Sequence, residues 1–194
     1  PKAPSEGRPL KVGFIGRIDV RQKGLDFLFR AMKILETDHP KIALQIILVG
    51  PFHTLKDKII VKRFLSSLKD PSRVVMAGSL AGKKKWEMLS SFDAFIHTSR
   101  YEGMPGAVIE AMAFQIPCIL TPATNMQEIL RECEGGWACD STPEAIAETL
   151  RQVEADREEI LRRGRNAQEY IRRNLTWDVI AAGYFPKVSR LAGN

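Results

Sequence analysis

Two glutamates stand on either side of a glycine-rich turn in the segment SRYEGMPGAVIEAMA. Proline suits the first position of a helix, so we expect a helix to begin at Pro105, with Glu102 before it and Glu110 in its second turn. Gly103 and Gly106 would leave backbone N–H groups uncovered at this helix start, an arrangement that binds anions. The carboxylates can accept hydrogen bonds from vicinal hydroxyls. Phosphate donors beside diol acceptors predict a nucleotide-sugar site. The alternative is that Glu102 only caps the helix and Glu110 is exposed to solvent.

A second candidate loop, GRIDVRQKG, follows the first apolar run. Gly16 permits close approach of the backbone to a ligand, Arg17 matches phosphate oxygens with its fork of donors, and Lys23 supplies a positive charge beside a predicted helix start. These residue types predict an anion-binding loop, and an ordinary basic surface loop is the alternative. The spacing of Gly13 and Gly16 does not form the G-x-G-x-x-G pattern, so a Rossmann dehydrogenase is disfavoured.

Two further loops give weaker signals. The segment GSLAGKKK resembles a P-loop, but it is one residue short and no serine or threonine follows the lysines, which excludes an ATPase of that type. Three lysines at a helix start oppose the helix dipole, so Lys83, Lys84 and Lys85 either stay in solvent or meet a negative ligand or surface. His53 is interpreted as a solvated loop histidine and is not assigned to the site.

The elements that must position these loops are visible as an alternation of patterns. Short apolar runs without polar alternation predict strands buried on both faces, at 12–15, 43–49, 74–77, 94–98, 118–121 and 137–139. Between them, apolar residues recur with i, i+3, i+4 spacing, which predicts helices that pack on a sheet. The expected fold is therefore α/β: a Rossmann-like, doubly wound parallel sheet of about six strands with helices on both faces. In such sheets ligands bind beyond the carboxyl ends of the strands, where the candidate loops lie.

The ends of the chain have a different character. After Val153 the pattern is wholly helical, which predicts appended C-terminal helices, the last from about residue 177 to 191. Residues 1–10 are expected to form a flexible segment, with one domain over 11–194. The chain begins at Pro1 without an initiator methionine, so we expect that it is processed or cut from a longer protein.

Composition and charge narrow the class of protein. The chain has 194 residues, of which 44% are hydrophobic and 27% charged, as in an ordinary globular domain. Residues 1–100 hold 19 Lys and Arg against 9 Asp and Glu, whereas residues 101–194 hold 10 against 14. This asymmetry predicts either two solvated faces or an anion-receiving first half. Three cysteines without ligand spacing argue against a disulfide framework or a metal site and favour a reducing compartment. The apolar runs are too short to span a membrane, and no export signal is recognisable.

Several ordered motifs carry a family resemblance. GRIDVRQKGLDFLFRAMKIL resembles the G-R-L…K-G-x-D-x-L-I-x-A motif, and SRYEGMPGAVIEAMAFQIPCILT resembles the S-x-x-E-G-x-P…E-A-M-A…P-V-V-A motif, of retaining glycosyltransferases with the GT-B fold and an E-x7-E motif (glycosyl transferases group 1). ILVGP, DAFIHTS and TWDVIAAGY are also in register. The match runs from about Lys11 to the end and resembles the C-terminal, donor-binding half of such an enzyme. The resemblance implies that the acceptor-side N-terminal domain is missing from this chain.

The resemblance also implies roles for the residues of the two main loops. It makes Arg17 and Lys23 a clamp on the donor diphosphate that stabilises charge on the leaving nucleotide. It places Glu102 by the donor sugar and Glu110 on the ribose hydroxyls. Further donor contacts are implied for Gly16, Gly78 and Leu80, the last two near the base, and for the backbone of Gly103, Met104, Pro105 and Gly106. No metal and no cofactor are expected, because the nucleotide sugar is the substrate.

The resemblance extends to the reaction and its setting. It implies transfer of a sugar from a UDP-, GDP- or ADP-linked donor to a glycan or lipid-linked acceptor with retention, as in the assembly of surface polysaccharide. We expect the isolated chain to bind nucleoside diphosphate and to transfer little sugar. Nucleic acid is not expected as a partner. A cytoplasmic location is expected, and peripheral contact with anionic lipid, for example through the lysines at 83–85, stays open.

Two departures from the family pattern leave alternatives open. The family has glycine at the position of Gln115 and a Gly-Gly pair near Ala123 and Thr124, positions that approach the donor sugar in the family. Bulkier residues there are expected to change the donor or weaken binding. A nucleotide-sugar epimerase of the same fold, which fits the glutamate spacing less well, and a non-catalytic nucleotide-binding module therefore remain as alternatives.

Overall fold

The computed structural model describes residues 7–176, 178 and 179. Within them, six parallel strands form one sheet in the order β3-β2-β1-β4-β5-β6. The strands are β1 (Leu10–Ile15), β2 (Leu44–Val49), β3 (Val74–Gly78), β4 (Ala94–His97), β5 (Cys118–Leu120) and β6 (Gly136–Ala138). The predicted six-stranded parallel sheet is confirmed.

A helix follows each strand, and one more helix completes the described chain. The helices are α1 (Leu25–Asp38), α2 (Leu55–Ser67), α3 (Gly82–Ser90), α4 (Gly106–Ala113), α5 (Gln127–Glu132), α6 (Pro143–Ala155) and α7 (Arg157–Asn174). The predicted helical region after Val153 corresponds to the end of α6 and to α7. The last predicted helix, 177–191, lies outside the described residues except at 178 and 179. Among the described helices, none is long and apolar enough to cross a bilayer.

Alternate strand side chains point into two separate cores. Ile46 and Leu48 of β2 pack with α1, α2 and α6, whereas Ile47 and Val49 pack with α3, α4 and α5. A sheet covered on both faces needs apolar residues at every strand position, which is why the strands read as continuous apolar runs. The expectation of helices on both faces is confirmed.

The strand ends differ from the predicted bounds by one or two residues. β1 begins at Leu10 instead of residue 12, because Leu10 and Lys11 pair with β2 in register with Leu44 and Gln45. Leu10 is fully buried. Before it, Arg8 makes a two-pronged ion pair with Asp93, with N–O distances of 2.8 and 2.6 Å. The chain is therefore anchored from Arg8 onward, on the side of the sheet where β1 begins.

The strand order reverses beside β1, since β2 lies on one side of it and β4 on the other. In a doubly wound sheet this switch point opens a crevice at the carboxyl ends of the strands. The loop after β1 and the loop after β4 therefore emerge side by side. These are the two loops that carry Lys23 and Glu102.

Candidate functional site

Hydrogen bonds to backbone carbonyl groups join the loop after β1 to the loop after β4. The Thr98 hydroxyl donates to the carbonyl oxygens of Lys23 and Gly24, at 2.9 and 3.1 Å, and the Arg100 N–H donates to the Gln22 carbonyl at 2.9 Å. Gly24 adopts φ of 61°, and a Cβ there would lie 2.0 Å from the Thr98 carbonyl oxygen. Only glycine combines this left-handed backbone with such close approach. The contacts hold Lys23 against the β4 loop.

The start of α2 supports the β1 loop from its other side. Asp57 and Thr54 form a capping box, and the buried Asp57 carboxylate also accepts the Val20 N–H at 2.9 Å. Burial opposes ionisation of Asp57, but hydrogen bonds from Thr54 and Val20 outweigh it and lower its pKa. His53, interpreted as solvated, is half-exposed and pairs with Asp19 at 3.0 Å. It supports the loop rather than lining the site.

Glu102 accepts three side-chain donors at one carboxylate oxygen, Oε1. Lys23 Nζ lies at 2.5 Å, Ser99 Oγ at 2.8 Å and His97 Nε2 at 3.1 Å. The hydrogen bond from His97 is the largest influence on the carboxyl. Together with Lys23 and Ser99 it outweighs the opposing effect of burial and holds the pKa of Glu102 at about 2. Glu102 is therefore ionised at neutral pH. It does not cap α4, so that alternative is wrong.

The start of α4 is open, as expected for a backbone that receives a ligand. A Cβ added at Gly103 or at Gly106 would meet no atom within 4 Å. Pro105 is the N-cap residue and Gly106 the first helical residue, so the expectation that Pro105 is the first helical residue is wrong by one position. The α4 N-terminus has no side-chain cap. Its first N–H groups are therefore available to an incoming acceptor, which favours an anion there.

Glu110 lies in the second turn of α4, as predicted, and both of its carboxylate oxygens contact Lys85 of α3. The Nζ of Lys85 lies 2.7 Å from Oε1 and 2.6 Å from Oε2. Glu110 is therefore not a simple solvated helix residue. Of the three lysines at the α3 start, Lys83 is 90% exposed, whereas Lys85 meets a carboxylate of its own chain.

The other predicted site residues occupy the same edge of the sheet without direct contact to Glu102. The exposed Arg17 donates to the Gln22 side chain at 2.9 Å, and Gly16 precedes it at the end of β1. Gly78 ends β3 with φ of 72°, and Leu80 packs partly buried against the core on the α3 side. Met104 is largely exposed beside Gly103. The structure thus brings Lys23 to Glu102 and leaves Arg17 exposed, in contact with Gln22.

His97, Ser99 and Lys85 are contacts of the two glutamates that the sequence reasoning missed. His97 ends β4 in the apolar run DAFIHTS. A single histidine at the end of a buried strand indicates a position that faces a ligand only when the direction of the strand is known. No signal in the sequence pairs Lys85 with Glu110. Across the described residues, no group of three His, Cys, Asp or Glu side chains is placed to hold a metal ion.

Gln115 does not lie beside the candidate site. It follows α4 at the C-terminal end, opposite Gly106, with φ of 59°, and its amide donates to Gln168 of α7 at 2.5 Å. Glycine is favoured at such a position because it ends helices in the left-handed conformation. These contacts assign the position to the end of α4, and an effect of Gln115 on the donor stays a prediction. Thr124, in contrast, precedes Asn125, whose amide donates to the Glu102 carbonyl at 2.6 Å.

The fold and the loops define a doubly wound α/β domain with a candidate ligand-binding edge at its switch point. The chain matches the family Glycosyl transferases group 1 over residues 1–170 and belongs to that family.

Two curated relatives illustrate the sequence similarity. An uncharacterized glycosyltransferase of Methanocaldococcus jannaschii is 29% identical over 173 residues, which are 87% of this chain and 42% of that protein. WcaL of Salmonella typhimurium, whose name assigns it to colanic acid biosynthesis, is 27% identical over 155 residues, 77% of this chain and 36% of that protein. The chain thus spans less than half the length of the curated relatives it matches.

Solved structures show the same fold at low sequence identity. The C-terminal domain of the group 1 glycosyl transferase LpcC from Francisella tularensis superposes with a TM-score of 0.74 at 20% identity, covering 88% of this chain and 89% of that one. A mutant TarM of S. aureus, solved in complex with UDP among other ligands, gives 0.78 at 20% identity, covering 95% and 36%. The GT-B-type C-terminal fold implied by the motifs is confirmed.

Proposed function

We propose that this chain is the donor-binding domain of a glycosyltransferase that uses a nucleotide sugar. One observation carries the proposal: the switch point brings a cationic side chain, Lys23, and an ionised carboxylate, Glu102, to within 2.5 Å beside the uncapped start of α4. A nucleotide sugar presents phosphate and hydroxyl groups close together, and this edge presents groups of the matching kinds.

The roles proposed for the residues follow from their charges. Lys23, with Arg17, binds the diphosphate and stabilises the negative charge that builds up on the leaving nucleotide. The backbone from Gly103 to Gly106 meets the sugar or a phosphate. Glu102 accepts hydroxyls of the donor sugar, and Glu110 accepts those of the ribose, while Gly78 and Leu80 lie toward the base.

The relatives support this proposal by their names. The TarM structure contains UDP, a product of nucleotide-sugar donors, and WcaL is assigned to the synthesis of a polysaccharide. We propose the same reaction class here: transfer from a UDP-, GDP- or ADP-sugar to a glycan or lipid-linked acceptor, with retention. The acceptor would bind through a further domain. No observation on the described residues favours the epimerase alternative.

Calorimetry tests the assigned site directly. The chain is titrated with UDP, GDP and ADP, and we expect one of them to bind and Lys23→Ala to weaken that binding by tenfold or more, roughly the effect of one charge-assisted phosphate contact. Lys58→Ala on α2 removes the same charge from an exposed position and should bind as the unaltered chain does. No heat with any of the three, or full binding by Lys23→Ala, overturns the proposal. A binding-only module would bind equally well, so a transfer assay on the longer protein separates that alternative.

A further inference from the structure

One carboxylate oxygen of Glu102 accepts three donors of two different kinds. Lys23 has a long, flexible side chain that comes from the neighbouring loop. His97 is the last residue of β4, and Ser99 lies two residues after it. In the proposed function Lys23 binds phosphate, and we expect it to leave Glu102 when the ligand arrives. After Lys23 has left, the carboxylate of Glu102 has to be held by its other donors.

We propose that His97 and Ser99 are positioning residues that hold Glu102 in place and charged while Lys23 moves from the carboxylate to the phosphate of the ligand. The lysine exchange rests on the proposed function, whereas the holding of Glu102 by His97 stands on the geometry of the unliganded chain.

The surroundings of His97 fix which form of its ring is present. The side chain is 2% exposed, and its Nδ1 is buried without a hydrogen-bond partner among the described residues. The rings of Phe14 and Phe95 stack near it, with centroids at 5.5 and 6.2 Å. An N–H at Nδ1 would be buried among these rings without an acceptor, which is costly. We therefore place a proton on Nε2, which makes His97 a donor to Glu102.

Ser99 is equally constrained. Its side chain is fully buried, and its carbonyl oxygen accepts the Thr121 hydroxyl at 3.3 Å. Both positioning donors thus sit on backbone fixed by the sheet, whereas Lys23 can select other rotamers at little cost. Arg100, the nearest further cation in sequence, is occupied by a two-pronged pair with Asp26, with N–O distances of 2.6 and 2.7 Å. It does not replace Lys23 at the carboxylate.

The consequence is a carboxylate that keeps two donors when Lys23 departs. If His97 were absent, the departure of Lys23 would leave a half-buried charge with one hydroxyl donor, and the carboxyl would take up a proton more readily. A protonated Glu102 is a poorer acceptor for sugar hydroxyls. His97 therefore preserves the chemistry of Glu102 in the state in which the ligand is bound.

The test follows the carboxyl carbon of Glu102 by NMR as the pH is lowered, over the range in which the chain stays folded. His97→Leu should raise the titration midpoint by about one pH unit or more, since it removes the largest hydrogen bond to the carboxylate. His97→Gln places an amide N–H near the position of Nε2 and should restore the low midpoint. Ser99→Ala, a smaller deletion, should raise the midpoint by less and provides the answer if His97→Leu fails to fold.

The same titration is repeated with saturating UDP, GDP or ADP, whichever binds. We expect the midpoint to rise on binding in every chain, because Lys23 has left, and to rise furthest in His97→Leu. An unliganded midpoint that neither His97→Leu nor Ser99→Ala changes overturns the positioning role. A bound midpoint equal to the unliganded one overturns the lysine exchange. Absence of binding by all three nucleotides overturns the proposed function and leaves the unliganded comparison intact as a test of His97.

Discussion

The Nζ atom of Lys23 lies 2.5 Å from Oε1 of Glu102, although 79 residues separate them in the chain. Two groups that we assign to opposite parts of a ligand, its phosphate and its sugar, thus form an ion pair with each other. Any anion that binds Lys23 has to compete with a carboxylate that is already there. Under the proposed function, we therefore expect the ion pair to lower the intrinsic affinity for the nucleotide part of the ligand.

Glu102→Gln should consequently strengthen the binding of the nucleoside diphosphate. Removing the competing charge frees Lys23, and we expect affinity to rise by roughly three- to tenfold, the range of a partly screened ion pair. Isothermal titration with the diphosphate that binds measures this. Glu87→Gln, which changes an exposed carboxylate paired with Lys83, serves as the control and should leave the affinity unchanged. Weaker binding by Glu102→Gln would contradict the competition.

The stability of the chain should fall in acid partly through Glu102. Its pKa is about 2 in the folded chain against the ordinary 4.5, so the unfolded chain takes up the proton first as the pH falls. The stabilisation is complete above about pH 4.5 and is lost as the pH falls toward 2. Urea unfolding of the unaltered chain and of Glu102→Gln at pH 7, 4.5 and 3.5 checks this.

We expect the free energy of unfolding to fall less steeply with acid in Glu102→Gln. The measurement is made in high salt, because Glu148 and Glu159 also have pKa values of about 2, lowered first of all by hydrogen bonds from Arg151 and Arg162. Both are exposed enough for salt to screen their pairs. Equal slopes in the two chains would show that Glu102 is not coupled to folding.

We expect Asp57→Ala both to destabilise the chain and to disturb the loop after β1, which carries Lys23. The variant removes the α2 capping box and leaves the Val20 N–H without its acceptor, which we expect to cost about 2–3 kcal/mol of unfolding free energy. Nucleotide affinity should fall as well, because the loop that carries Lys23 loses its support. Asp70→Ala, which removes an exposed cap, should cost under about 1 kcal/mol and leave binding intact. Equal effects of the two variants would show that Asp57 does not support the loop that carries Lys23.

Gly24→Ala and Gly82→Ala together separate the steric cost of a close backbone contact from the cost of a left-handed backbone alone. A Cβ at Gly24 would lie 2.0 Å from the Thr98 carbonyl oxygen, whereas a Cβ at Gly82, with a similar φ of 53°, would meet nothing within 4 Å. We expect Gly82→Ala to lose about 1 kcal/mol, the cost of the left-handed backbone, and Gly24→Ala to lose more than about 2 kcal/mol. Thermal unfolding of both variants decides this. Losses of similar size would mean that the two loops separate easily.

The outline of the fold could be read from the sequence because both faces of the sheet are covered. Strands that are covered on both faces need consecutive apolar residues, and consecutive apolar residues are easy to recognise. The rule for switch points then brought the loops of Lys23 and Glu102 to one edge without any knowledge of side-chain contacts. Glu110 in the second turn of α4 followed from the proline expected at the start of that helix.

What the sequence did not reveal depends on contacts between distant side chains. His97 belongs to an apolar run and reads as one more buried strand residue until Glu102 is placed against it. Lys85 was one of three adjacent lysines, and only the packing of α3 beside α4 selects it as the partner of Glu110. The place of Gln115 at the end of α4, where a left-handed backbone favours glycine, also could not be read from the motif.

The hydrogen bonds that join the two loops have a consequence for engineering. The contacts that join them use the backbone of Gln22, Lys23 and Gly24, together with the Thr98 hydroxyl and the Arg100 N–H. The side chains of Tyr101 and Met104 are largely exposed and take no part in these hydrogen bonds. We therefore expect a combinatorial library at those two positions to vary the chemistry offered to a ligand while these contacts between the loops are kept, which makes this edge a starting point for engineering selectivity.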